Sequence, residues 1–219
     1  MRLSVVIPTL DAEAHLPACL ERVRGAEEIV VADGGSRDRS IAIAKAGGAR
    51  VVRSARGRGA QLQHGAEAAS GDWLLFLHAD TLPGFGWRDA VASHARIHPD
   101  KAGCFQLRLG DRAWQARSVE RAVAARVALF ALPYGDQGLL VPRALYQAVG
   151  GYRPLPLMED VDLVRRIGRR RLAVLDETAT TSAERWRRDG WLRRSGRNLA
   201  CLGLYRLGVA PERLAWLYG

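Results

Sequence analysis

The first eighty residues alternate between short apolar runs and longer amphipathic stretches, and few folds accept that alternation. Leu3–Ile7 is an apolar run closed by Pro8, and Ala12–Arg24 follows with Leu16, Cys19, Leu20 and Val23 at helical spacing. Glu28–Ala32 is a second run, ended by Asp33-Gly34-Gly35-Ser36, and Asp38–Ala46 reads as a helix stopped by Gly47-Gly48. Arg50–Arg53 is a short third strand, Gly57–Ser70 a glycine-punctuated helix, and Trp73–Leu77 an apolar strand. The order β-α-β-α-β-α-β predicts an α/β fold with a mostly parallel central sheet, right-handed crossovers and helices on both faces.

Beyond residue 84 the pattern changes. Gly86–His98 reads as a helix stopped by Pro99, Gly103–Leu109 as a half-buried strand, and Arg112–Leu132 as a long helix. Gln137–Val141 is a buried strand, Pro142–Val149 a short helix, Asp160–Arg170 an amphipathic helix and Leu172–Leu175 a strand. From Asp189 on the chain is helical and basic. At 219 residues, one domain over 1–219 is expected.

Composition excludes several classes. Leu3–Ile7 is too short for the apolar core of a secretory leader, and Ala122–Pro133, broken by Arg126, is too short to span a bilayer. Cys19, Cys104 and Cys201 form no Cys-x-x-Cys pair, so neither a zinc site nor a disulfide framework is indicated, and a reducing cytoplasm is expected. Of the net charge of +10, residues 165–219 carry +8, from thirteen arginines and five acids. Solvated helix faces explain that charge; an anionic lipid surface or a phosphorylated substrate would also suit it. Charge alone is no ground for a nucleic-acid partner, and none is expected.

The chemistry concentrates at strand ends. Trp73–Leu77 ends in His78-Ala79-Asp80, a carboxylate delivered where open α/β sheets bind ligands. Asp80 suits Mg²⁺ or Mn²⁺, for which a protein supplies one or two carboxylates while substrate phosphates complete the shell. His78 joins the metal, contacts phosphate or simply ends the strand. Asp33, with two glycines and a serine behind it, accepts from a ligand's ribose or base, or caps the next helix. Arg53–Gln61, which contains Arg58, is a glycine- and arginine-rich loop opening a helix, a place that favours phosphate. Neither a Walker loop nor a dinucleotide Gly-x-Gly-x-x-Gly is present, which disfavours a dinucleotide dehydrogenase. In Glu159-Asp160-Val161-Asp162 one acid caps a helix while another serves as a general base. His94 and His98, four apart, read as a surface pair, and His15 and His64 as structural.

Ser4–Glu13, Glu28–Asp38, Leu77-His78-Ala79-Asp80-Thr81, Val149-Gly150-Gly151-Tyr152 and Glu159–Leu163 occur in that order. Together, over roughly residues 3–170, they resemble the family-2 glycosyltransferases of GT-A fold, above all small soluble bacterial members. The resemblance implies a nucleotide-sugar-binding half (1–84), an acceptor half (85–180) and a basic helical C-terminal segment (181–219). It implies inverting transfer of a sugar from a UDP- or GDP-linked donor. Pro8, Thr9, Glu13, Asp33, Arg58 and His78 would line the nucleotide site, Asp80 would hold Mg²⁺ or Mn²⁺, Asp160 would be the base and Glu159 its support. His78 replaces the first acid of the family's Asp-x-Asp, and Gly34 replaces the second acid after strand two. Ser182–Trp186 resembles the Gln-x-x-Arg-Trp of processive members without its Gln, and Arg185 is a candidate diphosphate contact.

The alternative is a non-catalytic nucleotide-sugar binder or regulatory protein on the same fold. A sugar nucleotidyltransferase is disfavoured, because Pro8–Glu13 lacks the lysine-bearing loop that class needs. The acceptor is a hydroxyl compound, with a lipid-linked one among the options. The Arg-and-Leu stripe running from Trp191 through Leu192, Leu199, Leu202, Leu204, Tyr205 and Leu207 suits packing on the main domain, a homodimer interface, or peripheral contact with the inner face of a membrane.

Overall fold

The computed structural model describes residues 1–218, with side chains through Trp216. Its eight strands are β1 (Leu3–Thr9), β2 (Glu28–Asp33), β3 (Arg50–Arg53), β4 (Trp73–Phe76), β5 (Thr81–Pro83), β6 (Ala102–Leu109), β7 (Leu139–Pro142) and β8 (Leu172–Thr181). They form one sheet in the order β3-β2-β1-β4-β7-β6-β8-β5. The helices are α1 (Leu16–Val23), α2 (Ser40–Ala46), α3 (Arg58–Ala68), α4 (Trp87–Ile97), α5 (Trp114–Phe130), α6 (Arg143–Ala148), α7 (Glu159–Ile167), α8 (Glu184–Asp189), α9 (Trp191–Arg206) and α10 (Pro211–Tyr218).

Strand alternation explains the layers. Side chains of a strand point to opposite faces in turn. Val6 and its neighbours Val30 and Leu74 pack with Leu62 of α3 and Leu163 and Ile167 of α7. Val5 and Ile7, with Val31 and Leu75, pack instead with Leu16 and Leu20 of α1 and Val91 of α4. A third cluster joins Cys104, Leu107 and Leu109 of β6 to Ala116, Val123 and Val127 of α5. Helices therefore cover both faces, as the βα alternation predicts.

The parallel half follows expectation: β1 pairs parallel with β2 and β4, and β2 with β3. The second half is more mixed. β7 runs antiparallel to β4 and β6, β5 antiparallel to β8, and β6 parallel to β8. Among the described residues, four of seven pairings are thus parallel. The reversal of β7 sets Leu139, at its start, opposite Phe76, at the end of β4. The 3₁₀ turn Gly135–Gln137 that leads into β7 is thereby brought beside His78-Ala79-Asp80.

Three local expectations change. The strand expected over Leu172–Leu175 continues to Thr181, because beyond an irregularity opposite Cys104–Gln106 the chain pairs again with β6 from Thr178 and with β5 from Ala179. Thr81–Pro83, unassigned from sequence, is β5. His94, read as half of a surface pair, is buried: its ring meets Trp73 edge-on at 5.9 Å, and Nε2 lies 2.9 Å from the Lys101 carbonyl. The apolar stripe of the C-terminal segment divides. Cys201, Leu202 and Leu214 are buried in the core, whereas Leu192, Leu199 and Leu207 stand in solvent.

Candidate active site

A cavity of about 530 Å³ opens at the carboxyl ends of β1 and β4. That end of an open α/β sheet is where strands deliver polar residues free of the ladder. Pro8 comes from β1, His78 and Asp80 from the segment after β4, and Arg58 from the start of α3. Tyr134, Gly135 and Asp136 come from the turn before β7, and Glu159 and Asp160 from the start of α7. Ser182 and Arg185 follow β8, and Arg194 and Asn198 come from α9.

The start of α7 is built for presentation. Met158 enters the helix with φ +64°, a left-handed conformation that costs a residue with a Cβ about 1 kcal/mol. The turn places Glu159 and Asp160 on the first helical positions, both on the cavity wall. Asp160 accepts from its neighbour Val161 N–H at 2.7 Å through Oδ1, which answers one orphan donor of the helix end. Oδ2 accepts from Gly135 N–H at 2.8 Å, so the carboxylate is tied to the turn before β7. A Cβ on Gly135 would lie 2.5 Å from His78 Nε2, and the close approach of turn and imidazole therefore requires glycine there.

Glu159 is almost wholly buried, and its cavity partner is Arg58, at 3.5 Å from Oε1. Oε1 has no hydrogen-bond partner. Burial, reinforced by the Asp160 charge and only partly offset by Arg58, pushes its carboxyl up to about 7. The third acid, Asp162, faces elsewhere: it pairs with Arg166, which also donates to the Gly151 carbonyl at 2.7 Å and so braces the Gly150-Gly151 turn.

Asp136 escaped the sequence reading. Its Oδ1 is shut off from solvent without a hydrogen-bond partner. Burial, opposed by Arg126, together with the charges of Asp160 and Asp80, pushes its carboxyl up to about 6. His78 moves the other way. Burial, with Arg58 and Arg185 adding repulsion, holds its imidazole well below the ordinary range, so it is neutral at pH 7.

Of the residues named from sequence, Pro8, Arg58, His78, Asp80, Glu159 and Asp160 line the cavity, and so does Arg185. Thr9, Glu13 and Asp33 stand outside its wall. Asp33 Oδ2 accepts from Gly35 and Ser36 N–H at 2.9 and 3.2 Å, closing its own turn; it does not cap α2, which begins at Ser40. Glu13 accepts from Arg39 N–H at 3.1 Å at the surface. Thr9 is buried, and its carbonyl takes a hydrogen bond from Gln61 Nε2 at 2.7 Å, which leaves Gln61 on the cavity wall in its place. His15, read as structural, reaches the rim, 3.3 Å from Glu184. Asp136 had a local signal: Gly135-Asp136-Gln137-Gly138 is a turn sequence directly before an apolar run. It precedes its strand, however, and parallel sheets carry their ligands after strands.

Residues 4–129 match the sequence profile of Glycosyl transferase family 2. The chain belongs to that family. A PGL/p-HBAD biosynthesis glycosyltransferase of Mycobacterium bovis is 38% identical over 88 residues, covering 35% of this chain and 34% of that protein. The undecaprenyl-phosphate 4-deoxy-4-formamido-L-arabinose transferase of Pseudomonas aeruginosa is 30% identical over 166 residues, covering 67% of this chain and 49% of that protein. The chain thus spans a third to a half of the length of these relatives. Among solved structures, Staphylococcus aureus TarS (residues 1–349) superposes with TM-score 0.66 at 14% identity, covering 100% of this chain and 70% of that one. Mycobacterium tuberculosis glucosyl-3-phosphoglycerate synthase, in complex with Mn²⁺, UDP-glucose and phosphoglyceric acid, gives 0.59 at 23%, covering 79% of this chain and 68% of that one. These likenesses establish the GT-A fold for the family member described here.

Proposed function

We propose that this chain transfers a sugar from a nucleoside-diphosphate sugar to an acceptor hydroxyl with inversion at the anomeric carbon. One observation carries the reading: Asp80, Asp136 and Asp160, from three separate elements, share a single cavity with Arg58 and Arg185. That wall combines groups for an anionic leaving group with a carboxylate base. The neighbour that holds UDP-glucose and Mn²⁺ supports a UDP-linked donor.

Asp80 is the residue that would hold Mg²⁺ or Mn²⁺. The chemistry fits, since neighbouring carboxylates and an unpartnered Asp136 oxygen make an anionic corner. No three His, Cys, Asp or Glu side chains among the described residues are grouped to bind a metal alone, which suits one protein carboxylate completed by diphosphate oxygens. A bound divalent ion supplies charge neutralisation for the departing diphosphate. Arg58, at the start of α3, and Arg185 hold the diphosphate by charge-assisted hydrogen bonds. Asp160, oriented by Gly135 N–H, receives the acceptor's proton as the acceptor oxygen bonds to the anomeric carbon and the carbon–diphosphate bond breaks. Glu159 sets the charge around Asp160 and Arg58. The proposed acceptor is a hydroxyl compound, and the relative that uses undecaprenyl phosphate makes a lipid-linked one a candidate.

Calorimetric titration with UDP and GDP, each with Mn²⁺ and with EDTA, tests the donor side. Metal-dependent binding of one nucleotide, weakened in Asp80→Asn, is expected; binding of neither would overturn the donor class. Asp160→Asn should bind as the parent does but lose roughly 10²–10⁴ in turnover of the sugar nucleotide. Parental turnover in that variant would remove Asp160 as base.

A further inference from the structure

Helix α9 buries Cys201 and Leu202 in the core and carries a second apolar face outward. Leu192, Gly196, Leu199, Gly203 and Leu207 succeed each other at steps of three or four residues, which stacks them on one side of a helix. Leu192, Leu199 and Leu207 are 90%, 66% and 83% exposed, where leucine at a solvated helix face is ordinarily replaced by a polar residue. The patch continues onto a second element. The Arg206 guanidinium lies 5.4 Å from the Phe130 ring at the end of α5, and Phe130 and Leu129 are themselves exposed. Arg169 donates to the Leu129 carbonyl at 2.9 Å, so it borders the same patch. On the adjoining α10, Trp216 is 83% exposed.

The charges carried by α9 have one sign. α9 carries Arg193, Arg194, Arg197 and Arg206 and no acid. Arg194 and Arg197 pair with Asp189, while Arg193 and Arg206 form no ion pair among the described residues. A second copy laid face to face would set arginine against arginine. An anionic surface would instead take the leucines into its apolar layer and the arginines at its charged boundary.

We propose that the outer face of α9, extended by the end of α5, is a docking surface for an anionic lipid bilayer. No helix among the described residues is long and apolar enough to cross a membrane, so the contact is peripheral. The inner face of the same helix contributes Arg194 and Asn198 to the cavity wall. Docking therefore brings the bilayer surface within about one helix diameter, ~10 Å, of the cavity. An acceptor hydroxyl anchored in that bilayer is then within reach of the site.

Docking needs no donor, so its test is separate from that of the transfer reaction. The full chain is floated with phosphatidylcholine vesicles and with vesicles also containing phosphatidylglycerol, at low and at high salt and without nucleotide. Co-flotation that requires phosphatidylglycerol and weakens with salt is expected. Leu192→Ser with Leu199→Ser and Leu207→Ser should abolish it, and Arg193→Gln with Arg206→Gln should lower it at low salt by about fivefold per arginine. Both variants should keep the parent's far-ultraviolet circular dichroism, which shows that the fold survives. Failure of the parent to float with anionic vesicles at low salt overturns the proposal, as does parental flotation of the triple serine variant. A sedimentation dimer that the triple variant dissolves also overturns it, by assigning the face to a second copy.

Discussion

Replacing Glu159 by glutamine should stabilise this protein above neutral pH. The carboxylate is almost wholly buried, Oε1 lacks a hydrogen bond, and its cation Arg58 stands 3.5 Å away on a partly solvated side chain. Burial first, then the Asp160 charge, raise the carboxyl from 4.5 to about 7, with Arg58 opposing. A raised native value means that the native state holds a proton the unfolded chain has released. Stability is therefore full below about 4.5 and falls as pH rises towards 7. At one pKa unit per 1.36 kcal/mol, the loss by pH 8 is about 3 kcal/mol. Glutamine keeps the shape and removes the charge, so the variant should exceed the parent by that order at pH 8 and match it near pH 4.5. For a chain of this size the gain corresponds to roughly 6–12 °C in Tm. Urea denaturation of both proteins at pH 5 and pH 8 measures it. A variant less stable than its parent at pH 8 would refute the reasoning, because it would show that the Arg58 pair more than repays the burial of the charge.

Two further substitutions probe backbone contacts. A Cβ on Gly59, in the first turn of α3, would lie 2.3 Å from the Arg153 carbonyl and 2.8 Å from Leu155 N. Gly59→Ala should cost about 2 kcal/mol in urea denaturation, and an unchanged midpoint would mean that the loop yields freely. Gly135→Ala displaces the His78 imidazole and the turn whose N–H holds Asp160. Turnover should fall about tenfold or more, with nucleotide affinity changed far less; equal loss of both would place the damage in donor binding.

The local periods of the chain, two for strands and about 3.6 for helices, were enough to recover the parallel half. Leu3–Thr9, Glu28–Asp33 and Trp73–Phe76 are largely buried runs and Arg50–Arg53 a half-exposed edge, and each was legible within a residue or two. Strand ends carry polar residues because the ladder stops there, which made His78 and Asp80 visible, while the cluster of acids at a helix start marked Glu159-Asp160. Pairing direction leaves no such local mark. The reversal of β7 is decided by what lies beside it, and it alone moves Asp136 from an unremarked turn to the wall beside Asp160. The length of β8 was hidden for the same reason, since Thr178–Thr181 is strand only through its neighbours β5 and β6. Tertiary structure also settled placements the residues left open. It closed Trp73 over His94, and turned some of the C-terminal leucines inward and others outward. Sequence period determines which segments fold and where each exposes its ends. Only the packing of distant segments decides which of those ends meet, because that depends on burial shared between residues far apart in the chain.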